Sequence, residues 1–432
     1  MTERRKFIQK IAGITAAFSA PSLIQQAWAA DWEMVNQSAA VLTPHELASN
    51  EDYWSVIQQA YTVNPNMVNL NNGGVSPSPR VVQEAVERFN QLSNEAPSYY
   101  MWRILDQGRE PVRYKLATLA GCSPNEIAIN RNATEALNTV IFGYPFKAGD
   151  EVIGTKQDYP NMIQAYRQRA LRDGIVYTQL SFDFPIEDDH SIVSAFEKAI
   201  TPRTKLIHIT HIINWVGQIM PVKKIASMAH ARGIEVIVDG AHSFGLLDFK
   251  IPDLECDYFG TSLHKFLSAP IGSGMLWIHA NKIEKIWPLL CNDKPLSNDI
   301  RKFETLGTRS FPIEQGIGEA VNFHMAIGSK RKEERVRYLK NYWATKALQI
   351  PGVKIHTSLK DKYACGICGV TIEGMTPAAL DSALYTGYKI HTVGIVWENI
   401  SCVRITPHVY TRLEDLDKLV AALTEIAAKQ KV

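Results

Sequence analysis

Strand and helix patterns alternate along the middle of the chain, and this alternation limits the fold more than any other feature. Short apolar runs predict seven strands, over 127–130, 151–155, 175–181, 205–213, 235–239, 258–261 and 274–278. Helical patterns fall between several of them, over 162–172, 191–200 and 222–231. Strands and helices at this spacing form a mostly parallel sheet that is covered on both faces. We therefore expect an α/β fold in which 274–278 is an antiparallel strand.

The pattern changes after residue 310. The stretch 316–348 predicts one or two long helices, strands follow near 369–372 and 401–405, and 413–431 predicts a closing helix. These elements predict a smaller α+β domain over 311–432, next to a large domain over 71–310. Residues 30–70 are expected to pack with the small domain.

Four polar or aromatic residues fall where predicted segments of the large domain end and the next begins: Asn132, Tyr159, Asn214 and Asp239. Parallel sheets of this kind bind ligands beyond the carboxyl ends of their strands. We therefore expect these side chains to meet at one site.

Asp239 and Lys265 together indicate a particular cofactor. Asp239 ends a buried β-branched run, and Lys265 follows Ser262 and His264 between two apolar patches. A lysine that forms a Schiff base and an acid that keeps a pyridine nitrogen protonated are what pyridoxal phosphate (PLP) needs. A lone lysine after a histidine is usually a surface residue, but the buried strand ending at Asp239 favours the cofactor interpretation here.

The phosphate and the ring of this cofactor need partners of their own. Asn132, Ala133 and Thr134 precede a helix predicted to start near Glu135, where backbone N–H groups bind phosphate. Ser262 and His264 add a hydroxyl and an imidazole, and Tyr159 offers a ring for stacking. Taken alone, Thr134 is more typical of an ordinary N-cap and Tyr159 of a loop tyrosine.

The first thirty residues form a separate segment. Arg4 and Arg5 precede a mildly apolar run over 11–20, and Ala-Trp-Ala at 27–29 matches a cleavage site. This combination predicts a twin-arginine signal over 1–29, although Glu3 stands where Ser or Thr is more usual. An N-terminal amphipathic helix is the alternative. With the signal removed, the chain is expected to start near Ala30 and to be soluble in the periplasm.

The composition of the chain argues against several classes of binding partner. The net charge of +2 gives no electrostatic case for binding nucleic acid. No later stretch has the ~18 consecutive apolar residues of a membrane span. The six cysteines form no disulfide framework, and Cys365 and Cys368 lie in a predicted core strand over 364–372. No metal site is expected.

Seven motifs resemble the class V aminotransferase family of fold-type I PLP enzymes, in its isopenicillin N epimerase-like branch. The resemblance covers roughly residues 65–415. The motifs are Asn-Asn-Gly at 71–73, Asn-Ala-Thr-Glu-Ala at 132–136, His-Ile-Ile-Asn-Trp-Val-Gly at 211–217, Asp-Gly-Ala-His at 239–242, Ser-Leu-His-Lys at 262–265, Gly-Thr-Arg at 307–309 and Arg-Ile-Thr-Pro-His at 404–408.

The resemblance implies a role for each site residue. Lys265 and Asp239 would be the catalytic pair, and Thr134, Ser262 and His264 would bind phosphate. His242 and Asn214 would lie near the phenolic oxygen of the cofactor. Thr308 would reach the phosphate of a neighbouring subunit, which implies a homodimer. Arg404 would bind the substrate carboxylate, with Asn72 nearby.

Two departures bear on the reaction. Tyr159 stands where cysteine desulfurases carry a stacking histidine, and no cysteine lies in a loop suited to a persulfide. Both features favour an enzyme acting at the α-carbon of an amino acid or of a residue in an exported peptide. Aminotransferase and epimerase chemistry both fit, and exported relatives suggest tailoring of a pyoverdine-type siderophore side chain. A cysteine desulfurase or lyase, or a non-catalytic binding protein on the same fold, are the alternatives.

Overall fold

The computed structural model describes residues 32–37 and 39–430. Its strands, in chain order, are β1 (Val68–Asn69), β2 (Ile127–Asn130), β3 (Glu151–Thr155), β4 (Val176–Leu180), β5 (Thr204–Thr210), β6 (Glu235–Asp239), β7 (Tyr258–Ser262), β8 (Gly274–Ile278), β9 (Val353–Ile355), β10 (Cys368–Ile372), β11 (Ile390–His391), β12 (Val393–Trp397) and β13 (Ile400–Ile405).

A helical stretch over 32–37 precedes the labelled helices. These are α1 (Pro44–Leu47), α2 (Glu51–Gln58), α3 (Arg80–Glu95), α4 (Pro97–Tyr99), α5 (Arg109–Ala120), α6 (Ala133–Gly143), α7 (Pro160–Asp173), α8 (Asp189–Ala199), α9 (Val222–His230), α10 (Phe311–Ile327), α11 (Ser329–Ala347), α12 (Pro377–Tyr388) and α13 (Leu413–Lys429).

The large domain is built on a seven-stranded sheet with the order β2-β8-β7-β6-β5-β3-β4. In this sheet β8 runs antiparallel to both of its neighbours, and the pairs from β7 through β4 are parallel. β6 lies at the centre, and its residues Val236, Ile237 and Val238 are fully buried, as a strand covered on both faces requires. The predicted α/β fold with a mostly parallel sheet is confirmed.

The small domain is built on an antiparallel sheet with the order β12-β13-β10-β9. Helices α11, α12 and α13 bury their apolar faces on it, with Trp343, Leu384 and Leu423 in the shared core. This is the expected α+β unit.

Of two local predictions, the one or two long helices over 316–348 are confirmed as two, and the strand at Cys365 was wrong. The stretch 316–348 is part of two helices, because Gly328 lies between α10 and α11 with φ 94°, a left-handed value that glycine adopts without strain. Cys365 is not in a strand: it is buried in the loop before β10, which starts only at Cys368.

The N-terminal part of the described chain packs on both domains. Leu47 and Trp54 share a core with Val336 and Val409 of the small domain and with Phe266 of the large one. β1 pairs in parallel with β11. The twin arginine and the cleavage motif lie outside the described residues. Among the helices that the structure describes, none has the length and apolarity of a membrane span.

Candidate active site

A cavity of about 530 Å³ opens beyond the carboxyl ends of the central strands. Both domains contribute to its wall. The predicted site residues that line it are Asn132, Ala133, Thr134, Tyr159, Asn214, Asp239, His242, Ser262, His264, Lys265 and Arg404. The topology therefore brings together residues that lie more than 270 positions apart in the chain, as the strand-end argument predicted.

Asp239 provides the carboxylate of the site. It is the last residue of β6 and is 5% exposed. The backbone N–H of Ala241 donates to its Oδ1 at 2.9 Å. Burial raises the pKa of the carboxyl above its ordinary value, while His208 on the adjacent strand favours the charged form.

Lys265 lies across the cavity, in the tight loop between β7 and β8. Burial is the main cause that lowers the pKa of its amine to about 8; Arg404 contributes in the same direction and Asp239 opposes the shift. A neutral amine is the nucleophilic form, so this environment suits a lysine that attacks a carbonyl.

His242 contacts both Lys265 and the turn at Gly73. Its Nε2 lies 2.8 Å from the Gly73 carbonyl oxygen and 3.2 Å from Lys265 Nζ. Burial lowers the pKa of the ring well below its usual value, so the imidazole is neutral. Nε2 can donate to Gly73 or accept from Lys265, but it cannot do both at once.

The N-terminus of α6 lies at the end of the cavity where the phosphate is expected. Asn132 is the N-cap: its side chain accepts from Glu135 N at 2.9 Å, so the helix starts at Ala133, two residues before the predicted start. Ser262 Oγ accepts from Ala133 N at 2.9 Å. Thr134 lies in the first turn and also lines the cavity.

His264 lies beside this helix end. Its Nδ1 donates to the Ser273 carbonyl at 2.9 Å, which leaves Nε2 as an acceptor while the ring is neutral. Burial and the neighbouring Lys265 lower its pKa. A phosphate group at this place would favour the protonated ring, which donates from both nitrogens.

Tyr159 belongs to a stack of three aromatic rings. Its ring stacks on Trp215 with centroids 6.5 Å apart, and Trp215 stacks on Trp397 at 5.7 Å. The indole N–H groups donate to the carbonyls of Gln157 and Lys156. Tyr159 remains 39% exposed, so a face of its ring is free at the cavity.

Arg404 is the carboxylate-binding candidate. It lies on β13, is 6% exposed, and donates from Nη1 to the Asn214 carbonyl at 3.0 Å and from Nη2 to Asn71 Oδ1 at 2.9 Å. Its Nε is buried without a partner, and in the described part of the chain no carboxylate forms an ion pair with it. Burial lowers the pKa of the guanidinium to about 10.

Two predicted residues do not reach the cavity. Asn72 is fully buried behind it: Oδ1 accepts from Tyr410 Oη at 2.6 Å, and Nδ2 donates to the Thr406 carbonyl at 2.8 Å. Thr308 is exposed and does not line the cavity of its own chain. Its expected role concerns a second subunit and stays a prediction.

A family model described as aminotransferase class-V matches residues 68–419. The chain belongs to the class V aminotransferase family. The match includes the residues of the large domain that are expected to bind the cofactor, and Arg404 of the small domain.

Curated relatives of this class V chain carry two kinds of name. Isopenicillin N epimerase of Streptomyces clavuligerus is 26% identical over 393 residues, which cover 87% of this chain and 99% of the relative. A "Probable cysteine desulfurase" of Halalkalibacterium halodurans is 27% identical over 408 residues, which cover 88% and 97%.

Solved structures share the fold of the class V chain. The apo cysteine desulfurase of Thermococcus onnurineus has a TM-score of 0.77 at 21% identity, covering 87% of this chain and 98% of its own. The cystine C–S lyase C-DES, solved with its product cysteine persulfide, has a TM-score of 0.77 at 23% identity and covers 84% and 98%.

The predicted cofactor, PLP, is confirmed by the family, and a C-DES variant was solved with glycine covalently linked to PLP. The residues present fit this group. Asn214 lines the cavity, and its Oδ1 is buried without a hydrogen-bond partner. A group bound in the cavity could satisfy this acceptor. Ser262 accepts one hydrogen bond and keeps its own proton for an anion.

Sequence reasoning missed several residues of the class V site. Asn71, not Asn72, contacts Arg404; Gly73, Trp215, Val393 and Ile395 line the cavity. The aromatic and apolar members gave no chemical signal, since such residues are usually core. Asn71 belongs to the Asn-Asn-Gly motif at 71–73, but the motif does not indicate which of the two asparagine amides contacts Arg404.

A buried acid next to Tyr159 was also missed. Asp158 is fully buried; Thr155 N donates to its Oδ2 at 2.7 Å and Thr210 Oγ1 to its Oδ1 at 2.8 Å. Burial raises the pKa of this carboxyl to about 6. Its bonds fix the loop that presents Tyr159.

The cysteines give no reactive thiol at the class V site. Cys365 and Cys368 are buried, and burial raises their thiol pKa values to about 12 and 11. Cys291 is exposed in an irregular segment, but it does not line the cavity. In the described ranges, no three His, Cys, Asp or Glu side chains are grouped to hold a metal ion.

Proposed function

We propose that the protein is a PLP-dependent enzyme that acts at the α-carbon of an amino acid or of a peptide-borne amino-acid residue. The observation that carries this proposal is Arg404. A buried guanidinium without a carboxylate partner opens on the same cavity as Lys265, the amine that would hold the cofactor. A buried, unpaired charge is unfavourable, and a substrate carboxylate would compensate it with a bidentate contact.

The cofactor supplies an electron-accepting ring that stabilises negative charge at the α-carbon. The protein residues do the rest. Asp239 would hold the proton on the ring nitrogen, Arg404 would orient the substrate carboxylate, and Tyr159 would cover the ring. Lys265, the residue that would hold the cofactor, would also move a proton from or to the α-carbon of the substrate.

The reaction and the substrate are the finer part of the proposal. Relatives named isopenicillin N epimerase support a reaction at an α-carbon. Transamination and epimerisation are the two reactions that we propose. The twin-arginine motif supports a periplasmic enzyme, and an exported peptide such as a pyoverdine-type siderophore is the substrate class that we propose first. We further propose a homodimer in which Thr308 completes the site of the partner.

Product analysis with the holoenzyme tests the reaction. Amino acids and peptide siderophores are incubated in D₂O with and without a 2-oxo acid. Acceptor-dependent loss of the amino group means transamination, whereas acceptor-independent deuterium at the α-carbon with inversion means epimerisation. Lys265→Ala is the matched control. The proposal fails if neither outcome occurs and the cofactor spectrum is unchanged by every amine, as a binding protein on this fold would behave.

Cysteine desulfurase or lyase activity is the second candidate, because several relatives carry the desulfurase name. It predicts sulfide release from cysteine. Among the described residues, Cys291 is the one exposed thiol, so the variant Cys291→Ser separates a desulfurase from a lyase. Loss of sulfide release in this variant would indicate a persulfide route, and unchanged release would indicate a lyase.

A further inference from the structure

A buried basic cluster lies directly behind the loop that carries Lys265. We define it as Lys332 on α11, His324 on α10 and His408 after β13. Their exposed fractions are 2%, 2% and 0%. In the part of the chain that the structure describes, none of the three forms an ion pair with a carboxylate.

Lys332 contacts the loop next to Lys265. Its ammonium donates to the backbone carbonyl of Phe266, the residue that follows Lys265 in the chain. The carbonyl of Lys265 itself accepts from Ser268 N at 2.9 Å. Lys332 therefore holds the Phe266–Leu267 peptide, one residue after Lys265.

His408 holds the other side of the same turn. Its Nε2 lies 3.3 Å from Ser268 Oγ, and its ring stacks on Phe266 with centroids 6.0 Å apart and an interplanar angle of 10°. Ser268 has φ 59°, a left-handed value that is uncommon for a residue other than glycine. These contacts stabilise a conformation that the turn would otherwise rarely adopt.

Burying these three basic side chains without a carboxylate partner is energetically unfavourable. Burial lowers the pKa of Lys332 to about 7 and those of both histidines well below their usual values. The neighbouring acids are engaged elsewhere: Glu333 with Arg337 and Lys330, and Glu334 with Lys330. Lys250, the other nearby charge, is a cation that donates to the Leu119 carbonyl. A buried lysine without a counter-ion is usually less favourable than an apolar residue of its shape.

The contacts also join the two halves of the site. Lys332 stands on a helix of the small domain, and His408 follows the strand that carries Arg404. The loop of Lys265 belongs to the large domain. The spatial relation of the amine to the carboxylate-binding arginine therefore depends on these contacts.

We propose that Lys332 is a positioning residue that fixes the Lys265 loop from behind, with His408 and Ser268 as its second support. This inference rests on the proposed role of Lys265 in holding PLP. It assigns to Lys332 no contact with substrate or cofactor.

Lys340 offers a matched control. It lies on the same helix, is fully buried, and donates from Nζ to the Ser358 carbonyl at 2.8 Å. Lys332→Met and Lys340→Met thus remove the same kind of buried bond, but only Lys332 touches the Lys265 loop. Ser268→Gly is the milder variant, since it keeps the left-handed backbone and removes the hydroxyl contact with His408.

The experiment compares these holoenzymes in three measurements: the thermal midpoint, the retention of PLP on dialysis, and the pH midpoint of the cofactor absorbance. Both methionine variants are expected to lower the thermal midpoint. Only Lys332→Met is expected to release PLP ~10- to 100-fold faster, because a misplaced lysine loses its attack geometry. Its absorbance midpoint should shift relative to that of Lys340→Met, because Lys265 then lies in a changed environment. Ser268→Gly should change PLP release in the same direction by a smaller factor.

Equal PLP release in Lys332→Met and Lys340→Met would overturn the proposal, as would wild-type release in Ser268→Gly if Lys332→Met does not fold. Lys265→Ala separates this result from the proposed function. If the long-wavelength absorbance persists in Lys265→Ala, the role of Lys265 fails, whatever Lys332 does.

Discussion

At the scale of single residues, the proposed binding of a substrate carboxylate depends on one guanidinium, that of Arg404. Arg404 is held by the Asn214 carbonyl and by Asn71 before any substrate is present. Its orientation is therefore fixed before binding, so substrate binding costs little conformational entropy at this side chain.

Arg404→Lys keeps the charge but removes the planar, bidentate donor. We expect KM for the amino-acid substrate to rise by ~10- to 100-fold, since a charged hydrogen bond contributes about 1.5–3 kcal/mol. The effect on kcat should be smaller. Arg412→Lys, at an exposed arginine eight positions later, is the control and should leave KM unchanged. Steady-state kinetics measure both, and an unchanged KM in Arg404→Lys would contradict the assignment.

Lys265 should give the apoenzyme a distinctive pH dependence. A lysine pKa lowered to about 8 means that the neutral, nucleophilic amine appears as pH rises through 8. The rate at which PLP attaches to the apoenzyme should therefore rise about fivefold between pH 7 and pH 8 and level off near pH 9. Stopped-flow absorbance measures this rate. A flat profile, or attachment in Lys265→Arg, would be inconsistent with it.

The residues that the sequence predicted well are those whose chemistry is uncommon where they stand. Asp239 and Lys265 are charged residues in apolar surroundings, so the sequence marks them. Asn71 and Asn72 are identical in type, and only the turn that the chain makes there decides which amide meets Arg404. Trp215 looks like a core residue until the fold places it at the cavity.

At the scale of elements, the proposed phosphate site depends on how closely β8 approaches the N-terminus of α6. A Cβ at Gly274, the first residue of β8, would lie 2.5 Å from Asn132 N and 2.6 Å from Asn132 Cα. The backbone that caps α6 can occupy its place only because Gly274 has no side chain.

Gly274→Ala should displace the N-terminus of α6. We expect the free energy of unfolding to fall by about 1–3 kcal/mol and PLP to bind less tightly. Gly387→Ala is the matched control, because its Cβ would meet nothing within 4 Å on an exposed helix. Chemical denaturation and equilibrium dialysis give the two quantities. Equal PLP affinity in both variants would argue against this helix end as the phosphate site.

The order of strands and helices followed from sequence because the hydrophobic period changes between them. The element ends did not. Asn132 rather than Thr134 caps α6, since both types cap well and tertiary contacts with Ser262 decide between them. Cys365 fits the alternating pattern of a strand, but its backbone lies outside the ladder of β10.

At the scale of the whole molecule, two predictions concern a second subunit and the N-terminal segment. The first is the homodimer. Sedimentation of the holoenzyme should give a mass near twice that of one chain, and Thr308→Ala should speed PLP loss although Thr308 lies outside its own cavity. Thr424→Ala, at another exposed threonine, is the control. A monomer that retains PLP in both variants would contradict a shared site.

The second concerns the N-terminus. The full-length chain with Arg4→Lys and Arg5→Lys should stay in the cytoplasm, because the twin-arginine route reads this pair. The wild-type chain should reach the periplasm with a new N-terminus near Ala30. Cell fractionation and N-terminal sequencing measure these outcomes, and equal periplasmic amounts of both chains would exclude the route.

The residues that the small domain places in the cavity all lie on one hairpin. Val393, Ile395 and Arg404 stand on β12 and β13, whereas the groups expected to hold PLP stand on the large domain. We therefore expect substitutions in this hairpin to change substrate preference and to leave the expected PLP contacts of the large domain intact. Exchanging this hairpin between relatives should transfer substrate preference as a module, which makes it the natural segment to vary in directed evolution.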